Sequence, residues 1–133
     1  MSSTPDKISV VVFLKRKPGT TKEEFAEYYN SVHAKMAEAL FGHLYESYTR
    51  NLVRTSGALA SAVPDGAAAE GDDLYDAITV ITFANREALA EMQRLTQEPD
   101  QLKAFLDDED KFLDRSSKIA FMCDQYVSAP VTR

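Results

Sequence analysis

The stretch TTKEEFAEYYNSVHAKMAEAL, residues 20–40, decides how this chain is read. Thr20 and Thr21 each precede a glutamate by three positions, Glu23 and Glu24, which is the spacing of a capping box, and acids in a first turn are favoured by the helix dipole. At 3.6 residues per turn Phe25, Tyr28, Tyr29, Val32, Met36, Ala39 and Leu40 share one sector, while Lys22, Glu23, Glu27, Asn30 and Lys35 lie outside it. The stretch is therefore expected to be an amphipathic helix packed on a sheet and ending near residues 41–42. His33 falls at the margin of the apolar sector, four residues after Tyr29 and four before Ala37, so its ring can lean toward a cleft lined on one side by small residues. Surroundings that are partly apolar and partly open let a histidine titrate usefully.

Working outward, residues 7–14 (KISVVVFL) are rich in β-branched side chains and end at a basic turn containing Pro18 and Gly19, which reads as a first strand. Apart from Ser9 both alternating faces are apolar, Val11 and Phe13 on one and Ile8, Val10, Val12 and Leu14 on the other, so both faces of the sheet are expected to be covered. After the helix, residues 44–54 read as a second strand with Tyr48, Arg50 and Leu52 on one face and Ser47, Thr49, Asn51 and Val53 on the other. Residues 55–73 shift to Ser, Gly, Ala, Pro and Asp without periodicity, a long connection of a length able to cover a pocket. Residues 74–83 form a third strand, Asn85 caps a helix over residues 86–96, Pro99 opens another through residue 113, and residues 118–127 supply a fourth strand before a fraying tail. On the last helix Leu102, Phe105, Leu106 and Leu113 are expected to pack, with Asp107, Asp108 and Asp110 mostly facing water.

The order β-α-β-β-α-(α)-β predicts an α+β fold of ferredoxin-like type, a four-stranded antiparallel sheet with helices on one face. The uncovered apolar face then calls for a second copy, giving a homodimer whose sheets pack face to face. With 133 residues and 44 % hydrophobic side chains, residues 1–133 are expected to form a single domain around one core. A net charge of -6 argues against nucleic-acid binding, which needs clustered Lys and Arg. No apolar run approaches the ~20 residues of a membrane span and the first residues lack signal-peptide character, so no membrane association and a soluble, cytoplasmic protein are expected. Cys123 stands alone in an apolar run and reads as an inert thiol, and two histidines without Cys/His spacing give zinc or haem little support, so neither a metal nor another cofactor is expected.

Two positions draw attention as chemistry. His33 has an ordinary reading as a packed helix-edge residue, at even odds with a functional one, but Tyr29 one turn earlier and Tyr48 and Asn51 on the following strand offer hydrogen-bonding groups suited to an oxygenated ligand. Asp76 interrupts the apolar row of the third strand, where a carboxylate is costly unless paired and its pKa is expected to rise. Its candidate partners are Arg50 and His33, and a His33/Asp76 pair would fix the imidazole tautomer for acid–base work. The alternative is that Asp76 merely ends the preceding loop. The acidic run at residues 107–110 lacks the glycine and ligand spacing of a calcium loop and reads as a solvated helix face.

The segments KISVVVFLKRKPGTTKEEFAEYYNSVHAKM, SYTRNLV, LYDAITVITFAN and DDEDKFLD together resemble the EthD-domain proteins of the dimeric α/β-barrel superfamily, over residues 7–127. The most specific part is the Tyr28-Tyr29 pair followed by His33, with Tyr29 where the family usually has tryptophan, and Asp76-Ala77 stands where it favours Asp-Gly. An acidic-aromatic segment like Asp108-Glu109 with Phe112 also matches. The resemblance implies a homodimer with a pocket between sheet and helices of each subunit, and cofactor-free dehydration, decarboxylation or cyclisation of polyketide-like or other hydrophobic compounds. The leading functional reading is thus a lyase or isomerase with His33 as general acid/base, Asp76 orienting it, and Tyr29, Tyr48 and Asn51 binding the substrate. The alternatives are a non-catalytic accessory or ligand-binding homodimer and a cofactor-free monooxygenase.

Overall fold

A computed structural model describes residues 7–53 and 75–129 of the chain. The connection expected over residues 55–73, the strand ends at 54 and 74 and the tail from 130 onward lie outside the described residues. Strands β1 (Lys7–Leu14), β2 (Tyr45–Leu52), β3 (Ala77–Phe83) and β4 (Ile119–Gln125) form one antiparallel sheet in the order β2-β3-β1-β4. The most uniformly apolar strand, β1, lies inside this sheet between β3 and β4, where both its faces need cover. Helix α1 covers residues 22–41, α2 is Arg86–Thr96 and α3 is Pro99–Phe112, all on one side, which is the ferredoxin-like arrangement expected.

Local signals set the helix starts. Thr21 Oγ1 accepts from the Glu24 amide at 3.0 Å while Glu24 Oε1 accepts from the Thr21 amide at 2.9 Å, closing the capping box. Asn85 Oδ1 accepts from the Ala88 amide at 2.9 Å at the head of α2, and Pro99 occupies the first turn of α3, where its missing N–H costs nothing.

The helices face the inward row of the strands. Val12, Leu14 and Ala77 pack with Phe25, Tyr29, Phe112 and Leu113, and Ile8, Ile81 and Phe83 pack with Leu89. On the other face Val11 lies in register between Val80 of β3 and Phe121 of β4, and Phe13 meets Phe121 with ring centroids 6.0 Å apart. Among the described residues no helix covers this row, and Phe121 is 52 % exposed.

Helix α1 departs from the expected periodicity. It consists of an α segment Lys22–Tyr28, a π turn Tyr29–His33 in which the Ala34 amide reaches back five residues to Tyr29 O, and an α segment Ala34–Phe41. Its buried row is Phe25, Tyr29, His33, Ala37 and Phe41, every fourth residue, joined by Ala34. At 100° per residue such a row would drift across the helix face, and the wider turn re-aligns its two halves. His33 therefore lies in the middle of the buried face rather than at its margin, and Val32, expected inside, is 42 % exposed.

Asp76 sits just before β3, only 3 % exposed, and its partners are neither of the two expected. Oδ1 accepts from Arg16 Nη1 at 2.7 Å and Lys22 Nζ at 3.2 Å, and Oδ2 accepts from the Arg16 amide at 2.8 Å. Its own amide donates to Leu14 O at 2.8 Å and its carbonyl accepts from the Val53 amide at 2.9 Å. Through its carboxylate and its backbone together, Asp76 thus ties the end of β1, the start of α1 and the β2 and β3 strand ends. Burial alone would raise its pKa, but the Arg16 amide, Lys22 and the two cationic charges outweigh it and hold the carboxyl below its usual range, against the rise expected. Replacing Asp76 by Ala should lower stability by about 2–3 kcal/mol in urea unfolding at pH 7. Since the folded-state pKa is depressed, this contribution should be complete above the unfolded value near 3.8 and vanish as pH falls through the lower folded value, so wild type and variant converge in acid.

Candidate functional site

Between the sheet and the helices lies a cavity of about 200 Å³. Val10, Val12, Leu14 and Ile81 make its apolar floor, and Met92 and Phe105 close it from α2 and α3. Polar groups enter from three sides: Tyr29 and His33 from α1, Tyr48 and Thr79 from the sheet, and Glu109 and Lys118 from α3 and the segment leading into β4.

The π turn places Tyr29 and His33 on the same wall, with ring centroids 5.7 Å apart. Tyr29 Oη and Thr79 Oγ1 share a hydrogen bond of 2.5 Å, and Tyr48 Oη donates to Tyr29 Oη over a longer 3.4 Å. The Arg50 guanidinium stacks over the Tyr48 ring at 4.9 Å while its Nε donates to Asn30 Oδ1 at 2.8 Å, closing this end. Burial pushes the hydroxyl pKa of Tyr48 and Tyr29 up, for Tyr29 in spite of Thr79, Tyr48 and Arg50, so both remain protonated donors at neutral pH.

His33 is 5 % exposed, and its ring is packed edge-on against Phe105 at 4.8 Å and tilted against Phe112 at 4.9 Å. Its Nδ1 is hydrogen-bonded to Asp108 Oδ2 at 2.8 Å. The second oxygen, Oδ1, accepts from Tyr28 Oη at 2.5 Å. Burial moves the imidazole below its ordinary pKa, more than the Asp108 hydrogen bond and the Asp108 and Glu109 charges raise it, so the neutral ring prevails at pH 7. With Nδ1–H donated to the carboxylate, Nε2 carries the lone pair of the residue that lines the cavity. Next to it Glu109, 2 % exposed, accepts from Lys118 Nζ at 2.6 Å through Oε2.

The sequence pattern of the EthD domain matches residues 17–116, three quarters of the chain. The chain belongs to the EthD family. Among solved structures it is similar to an EthD family protein from Bacillus halodurans, 18 % identical with a TM-score of 0.57 over 90 % of this chain and 99 % of that one. A dimeric ferredoxin-like protein of unknown function from Thermobifida fusca is 14 % identical with a TM-score of 0.54, over 89 % of this chain and 90 % of that one. An Arabidopsis thaliana protein is 17 % identical with a TM-score of 0.54, over 95 % of this chain and 99 % of that one. At these identities the likeness is one of fold. No functionally curated protein matches the sequence.

Of the residues singled out in this EthD chain, the structure brings His33, Tyr29 and Tyr48 to one cavity and leaves two elsewhere. Asn51 is exposed on the opposite face of the sheet, in register with Ile78, whose carbonyl accepts from its Nδ2 at 2.9 Å. Side chains alternate across a strand, so Tyr48 and Asn51, three apart, cannot share a face of β2. Asp76 is engaged by Arg16 and Lys22, and the carboxylate that meets His33 is Asp108, 75 positions along the chain from it. Asp108 and Glu109 are buried, contrary to the expected solvated acidic face. A signal for them was present: Phe105, Asp108, Glu109 and Phe112 follow the i, i+3, i+4, i+7 spacing of one helix face, leaving Asp107 and Asp110 outside.

A histidine whose folded pKa is depressed takes up a proton on unfolding as pH falls below the ordinary 6.5, so native stability drops with acidification through this range. Urea midpoints measured at pH 7 and pH 5 should therefore fall further in the wild type than in His33→Gln.

Proposed function

We propose that this EthD chain is an acid–base catalyst, a lyase or isomerase acting without a resident cofactor on a small hydrophobic oxygenated compound of polyketide-like type. The observation that carries the reading is the His33–Asp108 hydrogen bond at the wall of an apolar cavity furnished with tyrosine hydroxyls. Proton transfer is the chemistry these side chains supply by themselves. A substrate carbonyl oxygen accepts from Tyr48 Oη in exchange for its long contact to Tyr29, while the Arg50 guanidinium stacked over the Tyr48 ring keeps that phenol in place. Nε2 of His33 removes a proton from the carbon beside the carbonyl, and Asp108 stabilises the imidazolium formed. The resulting enolate, hydrogen-bonded by Tyr48, collapses either by regaining the proton from His33 at another carbon of a conjugated system, an isomerisation, or by expelling a β-hydroxyl that takes the proton from His33 and leaves as water. A cavity of about 200 Å³ is below the size of ordinary drug-binding pockets and suits a substrate of one or two rings.

The same reading makes the chain a single EthD domain that works as a homodimer. Support comes from the uncovered apolar row with Phe121 and Ile119, 52 % and 40 % exposed, and from the dimeric state of the Thermobifida fusca relative. Light scattering at micromolar concentration should give a dimer, and Phe121→Glu should shift it to monomer; a monomeric wild type contradicts this. For catalysis, candidate cyclic ketones and β-hydroxy ketones are screened by thermal shift and the hits assayed for turnover. His33→Ala should lower kcat at least a hundredfold, as expected for loss of a general base. Undiminished turnover in that variant, or bound ligands that are never converted, would contradict the proposal.

A further inference from the structure

We infer that Tyr28 is a positioning residue for His33, acting through Asp108: its hydroxyl holds one carboxylate oxygen from outside the cavity, so that the histidine meets a carboxylate already partly satisfied. This deepens the acid–base reading of His33 and concerns a residue outside the cavity lining.

The geometry begins with α1. In an uninterrupted α-helix, positions five apart point about 140° away from each other, and Tyr28 and His33 could not converge on one group. The π turn Tyr29–His33 lies between them, and across it Tyr28 Oη and His33 Nδ1 reach Asp108 Oδ1 and Oδ2 at 2.5 and 2.8 Å. Such wide turns recur at functional sites, and here the turn lets two hydrogen bonds link three residues through one carboxylate. The Tyr28 ring is fixed by Phe112, at 5.2 Å, which also packs against His33. Its hydroxyl remains a donor, because burial and the Asp108 hydrogen bond push its pKa up to about 12. Tyr28 borders an outer groove of about 390 Å³ whose charged lining is Glu24 and Glu27 of its own helix and Lys111 of α3.

A donor on Oδ1 withdraws charge from the carboxylate and weakens its hold on an imidazolium, which favours release of the proton that Nε2 has taken. Removing the donor should make His33 more basic. The other groups that bear on His33 are Glu109 from α3, Lys118 from the segment before β4 and Tyr29 on its own helix, and Tyr28→Phe leaves all three in place. Phenylalanine also keeps the ring contact with Phe112, so the substitution isolates the hydroxyl.

The test follows the imidazole Cε1–H resonance of His33 by NMR from pH 4 to 9 in the ligand-free full chain. The chain has two histidines, and the exposed His43 serves as internal control. In Tyr28→Phe the His33 midpoint should rise by about 0.5 unit or more, with His43 unmoved. In an Asp108→Asn background the same substitution should have no effect, since the intermediary is gone. Superimposable His33 profiles in wild type and Tyr28→Phe, or an equal shift with and without Asp108, would overturn the inference. Because the readout needs no substrate, it stands or falls separately from the turnover test of His33.

Discussion

A buried carboxylate must find partners, and Asp108 finds two of them on one helix. That requirement governs much of what surrounds it. For Tyr28 and His33 to meet the same group, α1 must widen at Tyr29–His33, and the widening re-aligns the buried row from Phe25 to Phe41 over the sheet. It also requires α3 to lie against α1, and Phe112, one turn beyond Asp108, fills that contact by packing on Phe25, Tyr28, Tyr29 and His33. Glu109, adjacent to Asp108, is then directed at the cavity and is neutralised by Lys118.

A second buried carboxylate has a different set of partners. Asp76 is met by two cations and a backbone amide, which keeps it ionised and makes it a joint between strands and helix. Asp108 is met by two groups that are neutral at pH 7, a phenol and an imidazole. Asp76 is thus paired with positive charge, and Asp108 with hydrogen-bond donors that carry none.

The fold was legible in the sequence because its signals are local. The apolar alternation of residues 7–14, the Thr21–Glu24 box, the Asn85 cap and Pro99 each act within a few residues of where they stand. The site was legible only in part. His33, Tyr29 and Tyr48 could be chosen by type and position, but the π turn depends on contacts with α3 and leaves no mark in an ideal 3.6 period. The acid partner was misassigned for a related reason: Asp76 stood out in an apolar strand row, while Asp108 was hidden in a run of four acids that a helix divides into two inside and two outside. Asn51 was grouped with Tyr48 despite the odd spacing that puts them on opposite faces of β2.

The central claim is that Asp108 holds a neutral His33 with its proton on Nδ1, leaving Nε2 as the base in the cavity. The most direct measurement is the pair of imidazole nitrogen chemical shifts of His33 at pH 7 in the ligand-free protein. A protonated Nδ1 with a bare Nε2 is the result predicted. Protons on both nitrogens, or on Nε2 alone, would contradict the account.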